Sequence, residues 1–190
     1  MKLLTPSDIS KAIEILTRSF QTNPSALWVI KQDSQEQKRL KALITYAVKP
    51  GMKNEGVFLS SDESTAAICF EEPAPNNLSD YLNQLELIRK AITIRRVPQV
   101  LQRESYLKKH RLEGKHLNFW FLGVDPDKKG SGGVHDIKKG IFKLAEESQL
   151  PILLETSVER NKIVYERFGF KTYHIWKESD DYTLWFMKRD

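Results

Sequence analysis

The stretch from Leu117 to Leu150 constrains the fold of this chain more than any other. It opens with Leu117, Phe119 to Leu122 and Val124, a run dense in apolar and aromatic residues, as in a strand covered on both faces. Asp125-Pro126-Asp127 follows as turn chemistry, because Pro126 fixes φ and the Asp side chains can accept from nearby amides. After Gly130-Ser131-Gly132-Gly133, the residues Val134, Ile137, Ile141, Leu144 and Ala145 recur at helical spacing. Pro151 ends that helix, and Ile152-Leu153-Leu154 begins another buried strand. Strand, crossover helix and strand form a right-handed unit with parallel strands.

The junction before the helix suits an anion. A helix begins with amides that have no intrahelical partner, and its dipole places partial positive charge there. Glycines at that point let an anion approach the backbone, and Lys128 and Lys129 add formal charge. The pattern is neither Gly-x-x-x-x-Gly-Lys-Ser/Thr nor the Rossmann Gly-x-Gly-x-x-Gly.

Val124-Asp125-Pro126 followed by the glycines resembles motif A of the GNAT superfamily, the acyl-CoA-dependent N-acyltransferases, usually written Gln/Arg-x-x-Gly-x-Gly/Ala. Lys129 stands at the Gln/Arg position and Gly132 matches the central glycine. Val134 replaces the final Gly or Ala, which puts a β-branched side chain beside the expected pyrophosphate. Further along, Leu154-Glu155-Thr156-Ser157, Asn161 and Tyr165-Glu166-Arg167-Phe168-Gly169-Phe170 are similar to motif B. Glu104, His110 and His116 resemble the segment before motif A in the branch that contains puromycin N-acetyltransferase.

The resemblance implies acetyl-CoA as cofactor, held by Leu122, Val124, Lys129, Gly130, Ser131, Gly132, Gly133, Val134, Asn161 and Tyr165. It also implies Tyr165 as the acid that protonates the leaving thiolate, against a plain reading as a half-buried aromatic. Glu155, at a strand end beside the expected cleft, is the first candidate for general base; the alternative is a carboxylate paired with a lysine or arginine. His116 is a second candidate, with His116 and Trp28 also placed on the acceptor side. Asn161 either contacts the pantetheine region or caps its helix, and His135 either touches a phosphate or faces solvent.

The remaining chain is consistent with this frame. Lys2 to Leu4 reads as a strand, and Ser7 or Asp8 caps a helix that Asn23-Pro24 ends. A second helix spans about Gln35 to Val48, stopped by Pro50-Gly51, and Val57 to Leu59 pairs with Ala66 to Phe70 across a Ser-Asp-Glu-Ser turn. Residues 71–116 read as an inserted helical pair: a loop at 71–77, a helix through Leu78, Leu82, Leu85 and Ile88, a break at Pro98, and a helix to His110. The insertion serves either as a wall over a substrate site or as a stabilising flap. Thr172 to Trp176 and Tyr182 to Met187 close the chain as a hairpin about Ser179-Asp180-Asp181. The expected fold is thus α/β of the α+β kind, GNAT-like. One domain over 1–190 carries a mixed, mostly antiparallel central sheet flanked by helices and open between two parallel central strands, with the helical pair before the motif A strand.

Composition narrows the function. No apolar run approaches the roughly 20 residues of a membrane span, and Met1 to Pro6 lacks the apolar stretch of a signal peptide. The single cysteine, Cys69, lies in an apolar run and fits an inert core thiol in a reducing cytoplasm. No His, Cys, Asp or Glu cluster has metal-ligand spacing, so no metal is expected. A net charge of +5 arises from 30 basic and 25 acidic residues interspersed along the chain, a pattern that suits a polyanionic cofactor better than a nucleic acid. The expected activity is transfer of acetyl from acetyl-CoA to a primary amine on a small molecule, directly in a ternary complex, by a monomer or homodimer. A catalytically inactive acyl-CoA-binding protein, or a nucleic-acid-associated one, is the alternative.

Overall fold

The expected parallel pair sits at the centre of the sheet in a computed structural model, which describes residues 1–74, 78–92, 94–179 and 182–190. Among these residues, seven strands form one sheet: β1 (Lys2–Leu3), β2 (Val57–Leu59), β3 (Thr65–Glu72), β4 (His116–Val124), β5 (Ile152–Thr156), β6 (Lys171–Ser179) and β7 (Tyr182–Arg189), in the order β1-β2-β3-β4-β5-β7-β6. Only β4 and β5 run parallel; the other neighbours are antiparallel.

Seven helices flank the sheet among the described residues: α1 (Ile9–Ser19), α2 (Pro24–Val29), α3 (Glu36–Lys53), α4 (Leu78–Leu87), α5 (Val97–His110), α6 (Gly133–Ser148) and α7 (Glu159–Arg167). Strand alternation divides the core in two. Ile137 and Ile141 of α6 pack with Phe119, Ile152, Leu154 and Met187 on one face. Leu16 of α1 and Leu40 and Ile44 of α3 pack with Leu59 and Ile68 on the other, where Leu107 of α5 also meets Leu184 and Phe186.

Two irregularities shape the centre. Ile68 pairs with Phe121 but Cys69 pairs with Phe119, leaving Trp120 as the extra residue of a β-bulge in β4. The parallel ladder to β5 covers only Leu117–Ile152 and Asn118–Leu153, so it ends just before that bulge. Beyond it, β5 keeps its pairing with β7 while β4 stays with β3, and the two strands separate as a fork.

Several local expectations change. Helix α1 ends at Ser19, before Asn23-Pro24, and that dipeptide instead starts α2, because Asn23 Oδ1 accepts from Ala26 N at 3.0 Å and proline suits a first helical turn. Helix α3 does not stop at Pro50 but runs to Lys53, with Gly51 buried against the sheet; tertiary packing outweighs the missing N–H of one proline near a helix end. The helical pair between β3 and β4 is present, and α4 continues as a π-helical turn over Ile88–Ile92. Its inward residues are Ala91 and Ile92, with Leu87 and Ile88 against them, whereas Leu85 is 64% exposed. The change of helical pitch after Leu87 rotates the apolar stripe away from Leu85. The side chains of Leu78 and Leu82, the loop at 75–77 and the turn residues Asp180 and Asp181 lie outside the described residues.

Helix α5 is fastened to the sheet edge by a stack of rings. Tyr106 lies 4.4 Å from Trp176 and 4.0 Å from His110, and His110 lies 4.3 Å from His174, centroid to centroid. Tyr106 Oη and His174 Nε2 are 2.9 Å apart.

Replacing Ile44 with Ala removes a fully buried side chain and should cost about 2–5 kcal/mol in urea denaturation. Leu85→Ala should stay within about 0.5 kcal/mol; equal losses would return Leu85 to the core.

Candidate active site

The start of α6 is built as an anion cradle. Gly130 and Gly132 take φ of 87° and 97°, the left-handed region that glycine enters at no steric cost, and together they swing the chain into the helix. The amides of Gly133, Val134 and His135 have no hydrogen-bond partner among the described residues; the next, Asp136 N, donates to Gly132 O at 3.1 Å. These amides border a pocket of about 280 Å³ lined by Thr65, Val124, residues 130–135 and Phe168. His135 lines it and is exposed, and the exposed Lys128 and Lys129 come just before Gly130 in the chain.

Packing holds this cradle in place. A Cβ on Gly133 would overlap Ser64 Oγ and Thr65 Oγ1, so the helix sits directly on the β2–β3 turn. Ser131 Oγ donates to Ser64 Oγ at 2.8 Å, and Ser60 and Ser64 donate to Asp62 Oδ1 at 2.6 and 2.8 Å. Hydrogen bonds from Ser60 and Ser131 hold the Asp62 carboxyl well below the usual carboxylate range. Asp136, one turn into α6, accepts from Ser61 N at 2.7 Å and Ser61 Oγ at 2.9 Å. From sequence, Ser61-Asp62-Glu63-Ser64 reads only as a hairpin turn, and this support for the helix is not visible there. The one signal was the unusual density of hydroxyls over residues 60–65.

On the other side of the cradle, Arg18 donates to Asp125 Oδ1 and Asp127 Oδ2, each at 2.7 Å, and pins the turn after β4. Ser19 Oγ accepts from Val124 N at 3.2 Å. The Val124 amide, expected to face the cofactor, is therefore engaged by the end of α1.

Next to the cradle lies a narrow apolar slot between β4, α6 and α7, lined by Phe119, Leu122, Val134, Lys138, Phe142, Tyr165, Phe168 and Phe170. Val134 and Phe168 border both spaces, so the departure from motif A stands where the cradle opens into the slot. Tyr165 meets Phe119 and Phe170 edge-on at 6.3 and 5.6 Å, and its hydroxyl makes no hydrogen bond among the described residues. Burial pushes its phenol up to about 12, and burial alone pushes the Cys69 thiol up to about 12 as well.

The other expected residues fall differently. Both oxygens of Glu155 are taken by Arg111, the residue that caps α5, with Nε to Oε1 at 2.7 Å and Nη2 to Oε2 at 3.1 Å. The paired-carboxylate alternative thus describes Glu155 in this structure, and the free side chain a base requires is not what the fold presents. His116 is buried at the far end of β4 from Val124, a distance of about 26 Å along the strand. Its Nδ1 donates to Gly114 O at 2.9 Å, and its Nε2 has no hydrogen-bond partner among the described residues, with Glu72 Oε2 3.9 Å away. It lies at the closed end of the fork, away from the cradle. Asn161 is exposed on α7 and does not cap it; the cap position belongs to Val158. Trp28 lies on the opposite face of the sheet, its ring 5.6 Å from the Arg96 guanidinium and 5.5 Å from that of Arg103. Among the described residues, no group of three or more His, Cys, Asp or Glu side chains could hold a metal, and no helix is long and apolar enough to cross a membrane.

Comparisons with known proteins bear on the architecture. No family model matches the chain. An uncharacterised N-acetyltransferase, C550.08, of Schizosaccharomyces pombe is 37% identical over 54 residues, which span 27% of this chain and 22% of that protein. The match therefore spans less than a quarter of the relative's length. Among solved structures, a histone acetyltransferase HPA2 and related acetyltransferase from Corynebacterium glutamicum aligns with a TM-score of 0.71 at 18% identity, covering 98% of this chain and 93% of that one. Arylalkylamine N-acetyltransferase 2 from Aedes aegypti gives 0.61 at 15% identity, with 99% and 96% covered. A GNAT-family protein from Desulfovibrio desulfuricans gives 0.52 at 12% identity, with 100% and 95% covered. At such identities the likeness is one of fold. With its seven-stranded, mostly antiparallel sheet and forked parallel pair, the chain has the fold of the GNAT acetyltransferases.

Proposed function

We propose that this protein is an N-acetyltransferase that moves acetyl from acetyl-CoA to a primary amine on a small molecule, directly in a ternary complex. One observation carries the reading: a forked strand pair leads from unpartnered helix amides into an apolar slot that holds Tyr165. The amides of Gly133 to His135 would receive the pyrophosphate, with the exposed Lys129 just before the glycine turn; free N–H groups reached past Gly130 and Gly132, where a Cβ would meet nothing, fit that group. Leu122 and Val134 would line the path of the pantetheine arm.

The thioester supplies an activated acyl group. In the transfer a C–N bond forms, the C–S bond breaks and the sulfur takes up a proton. Tyr165 holds that proton at Oη. A phenol near 12 is a poor donor to a thiolate in water, whose thiol has a pKa of about 8.5. The slot changes the balance, because burial raises thiol and phenol together, as the fully buried Cys69 at about 12 illustrates. A slot that dries both groups therefore narrows the gap between them. With Glu155 bound to Arg111, the proton of the incoming amine passes to solvent, and the Glu155–Arg111 pair joins the end of α5 to β5.

A second reading, cofactor binding without transfer, draws on Val134 at the mouth of the slot and on the engagement of the Val124 amide by Ser19. Calorimetry with acetyl-CoA, CoA and ATP, followed by a screen of amines that includes puromycin, separates the two. Saturable binding of the CoA compounds with acetylation supports the enzyme; binding with no product on any amine supports the second reading. The absence of binding at millimolar cofactor would overturn both.

Tyr165→Phe should lower turnover by about 100-fold or more while acetyl-CoA affinity, read by calorimetry, stays within about twofold. Stability should fall in alkali. Burial lifts Tyr165 from 10.0 and Cys69 from 9.0 to about 12, so the unfolded chain loses these protons first. Their stabilisation is complete below about pH 9 and is lost as the pH rises towards about 12. Urea midpoints measured over this range should decline, and Tyr165→Phe should decline less steeply.

A further inference from the structure

On the face of the sheet opposite the cradle, a cluster around Arg103 has no part in the transfer described above. Arg103 is 7% exposed, which for an arginine is a nearly complete loss of hydration. Its Nη2 donates to Ser25 Oγ at 2.6 Å and to Tyr182 Oη at 3.2 Å, and Tyr182 Oη donates to the same Ser25 oxygen at 3.1 Å. Its Nε is buried and has no hydrogen-bond partner among the described residues. The Trp28 ring covers the guanidinium at 5.5 Å. Among the described residues, the only carboxylate bonded to it is Glu104 Oε1, at 3.1 Å from Nη1, on a side chain that is 54% exposed.

A buried cation normally has a buried counter-ion, since desolvation of an unmatched charge is costly. Here two neutral hydroxyls and one solvated carboxylate stand in that place, with an N–H left over. Such exposed pairs are weak and easily displaced. The half-exposed edge of the cluster points to the fork: Ser25 N donates to Ser157 Oγ at 3.1 Å, and Ser157 follows β5 by one residue. An acceptor that approaches the fork from the face opposite α6 and α7 passes this cluster.

We infer that Arg103, with the hydroxyls of Ser25 and Tyr182, receives a carboxylate of the acceptor, displacing Glu104. The substrate is then an amino acid or a related amino-carboxylate, and not a polyamine or a plain alkylamine. This rests on the acetyl-transfer reading for the chemistry but not for the anion site itself.

The test uses the whole chain and two matched pairs of amines, tyrosine with tyramine and β-alanine with propylamine. The carboxylate-bearing member of each pair should be acetylated with the higher kcat/KM. Arg103→Lys, which keeps the charge but loses the planar fork, should raise KM for that member by roughly tenfold relative to its partner. Glu104→Ala removes the competing carboxylate and should move the same KM ratio in the opposite direction. A purely structural Arg103 would not respond so to loss of an exposed neighbour. Preference for tyramine and propylamine, or equal shifts within each pair, would overturn the assignment. If no amine is acetylated, titration with propanoate, followed by NMR at the Arg103 Nε–H, still reads the site. A saturable shift that tightens in Glu104→Ala supports it while the transfer reading fails; no shift by roughly 100 mM sinks it. Should Arg103→Lys fold poorly, Ser25→Ala takes its place, with weaker propanoate binding expected and unaltered binding overturning the assignment.

Discussion

The premature end of the β4–β5 ladder is the constraint from which the site follows. Two parallel strands that stayed paired along their length would close the sheet and leave no room between them. Here two residue pairs hold the strands together, and the extra residue Trp120 then bends β4 away. The separation exposes the edges of central strands in the middle of the protein, where an unpaired backbone group must find another partner. Ser19 meets part of that demand from α1 by accepting from Val124 N. A ligand laid along the fork would meet the rest.

The two sides of the fork differ in chemistry. Towards α6 and α7 the walls are aromatic and aliphatic, with the free amides of the cradle at one end. Towards α2 and α5 they carry paired and half-paired charges: Glu155 with Arg111, Asn118 Nδ2 on Glu72 Oε1 at 2.8 Å, and Arg103 among hydroxyls. The dry side raises the proton affinity of groups placed in it, which suits a leaving sulfur and a phenol. The polar side orients ionic groups, which suits the recognition of an acceptor. The helical pair between β3 and β4 builds much of this second side, since Arg103 and Arg111 belong to α5 and its cap.

Some features were legible because they rest on local chemistry. Gly130, Gly132 and Gly169 all adopt the positive φ that their places in turn and cap demand. Val134, Ile137, Ile141 and Ala145 form a helical stripe whatever surrounds them, and the apolar runs Val57–Leu59 and Ala66–Phe70 flank a polar turn as the strands of a hairpin do. Other features depend on partners remote in sequence. Glu155 reads as a free carboxylate until Arg111, 44 residues earlier, is brought against it. His116 looks adjacent to the site on paper because it begins the motif A strand, yet an extended strand carries its two ends far apart. Leu85 fits a helical stripe only if the pitch stays constant, and it does not.

The sequence by itself determined the strand–glycine–helix junction and the parallel crossover, because hydrophobic period, glycine conformation and helix-end polarity act within a few residues; the mixed, mostly antiparallel sheet was legible only through the motifs' resemblance to a known family. Tertiary structure alone decided where the ladder stops, which carboxylates are neutralised, and which side chains face each other across the fork. Those are matters of register and of charges paired over long separations. A one-residue bulge or a single arginine changes them without altering any local pattern.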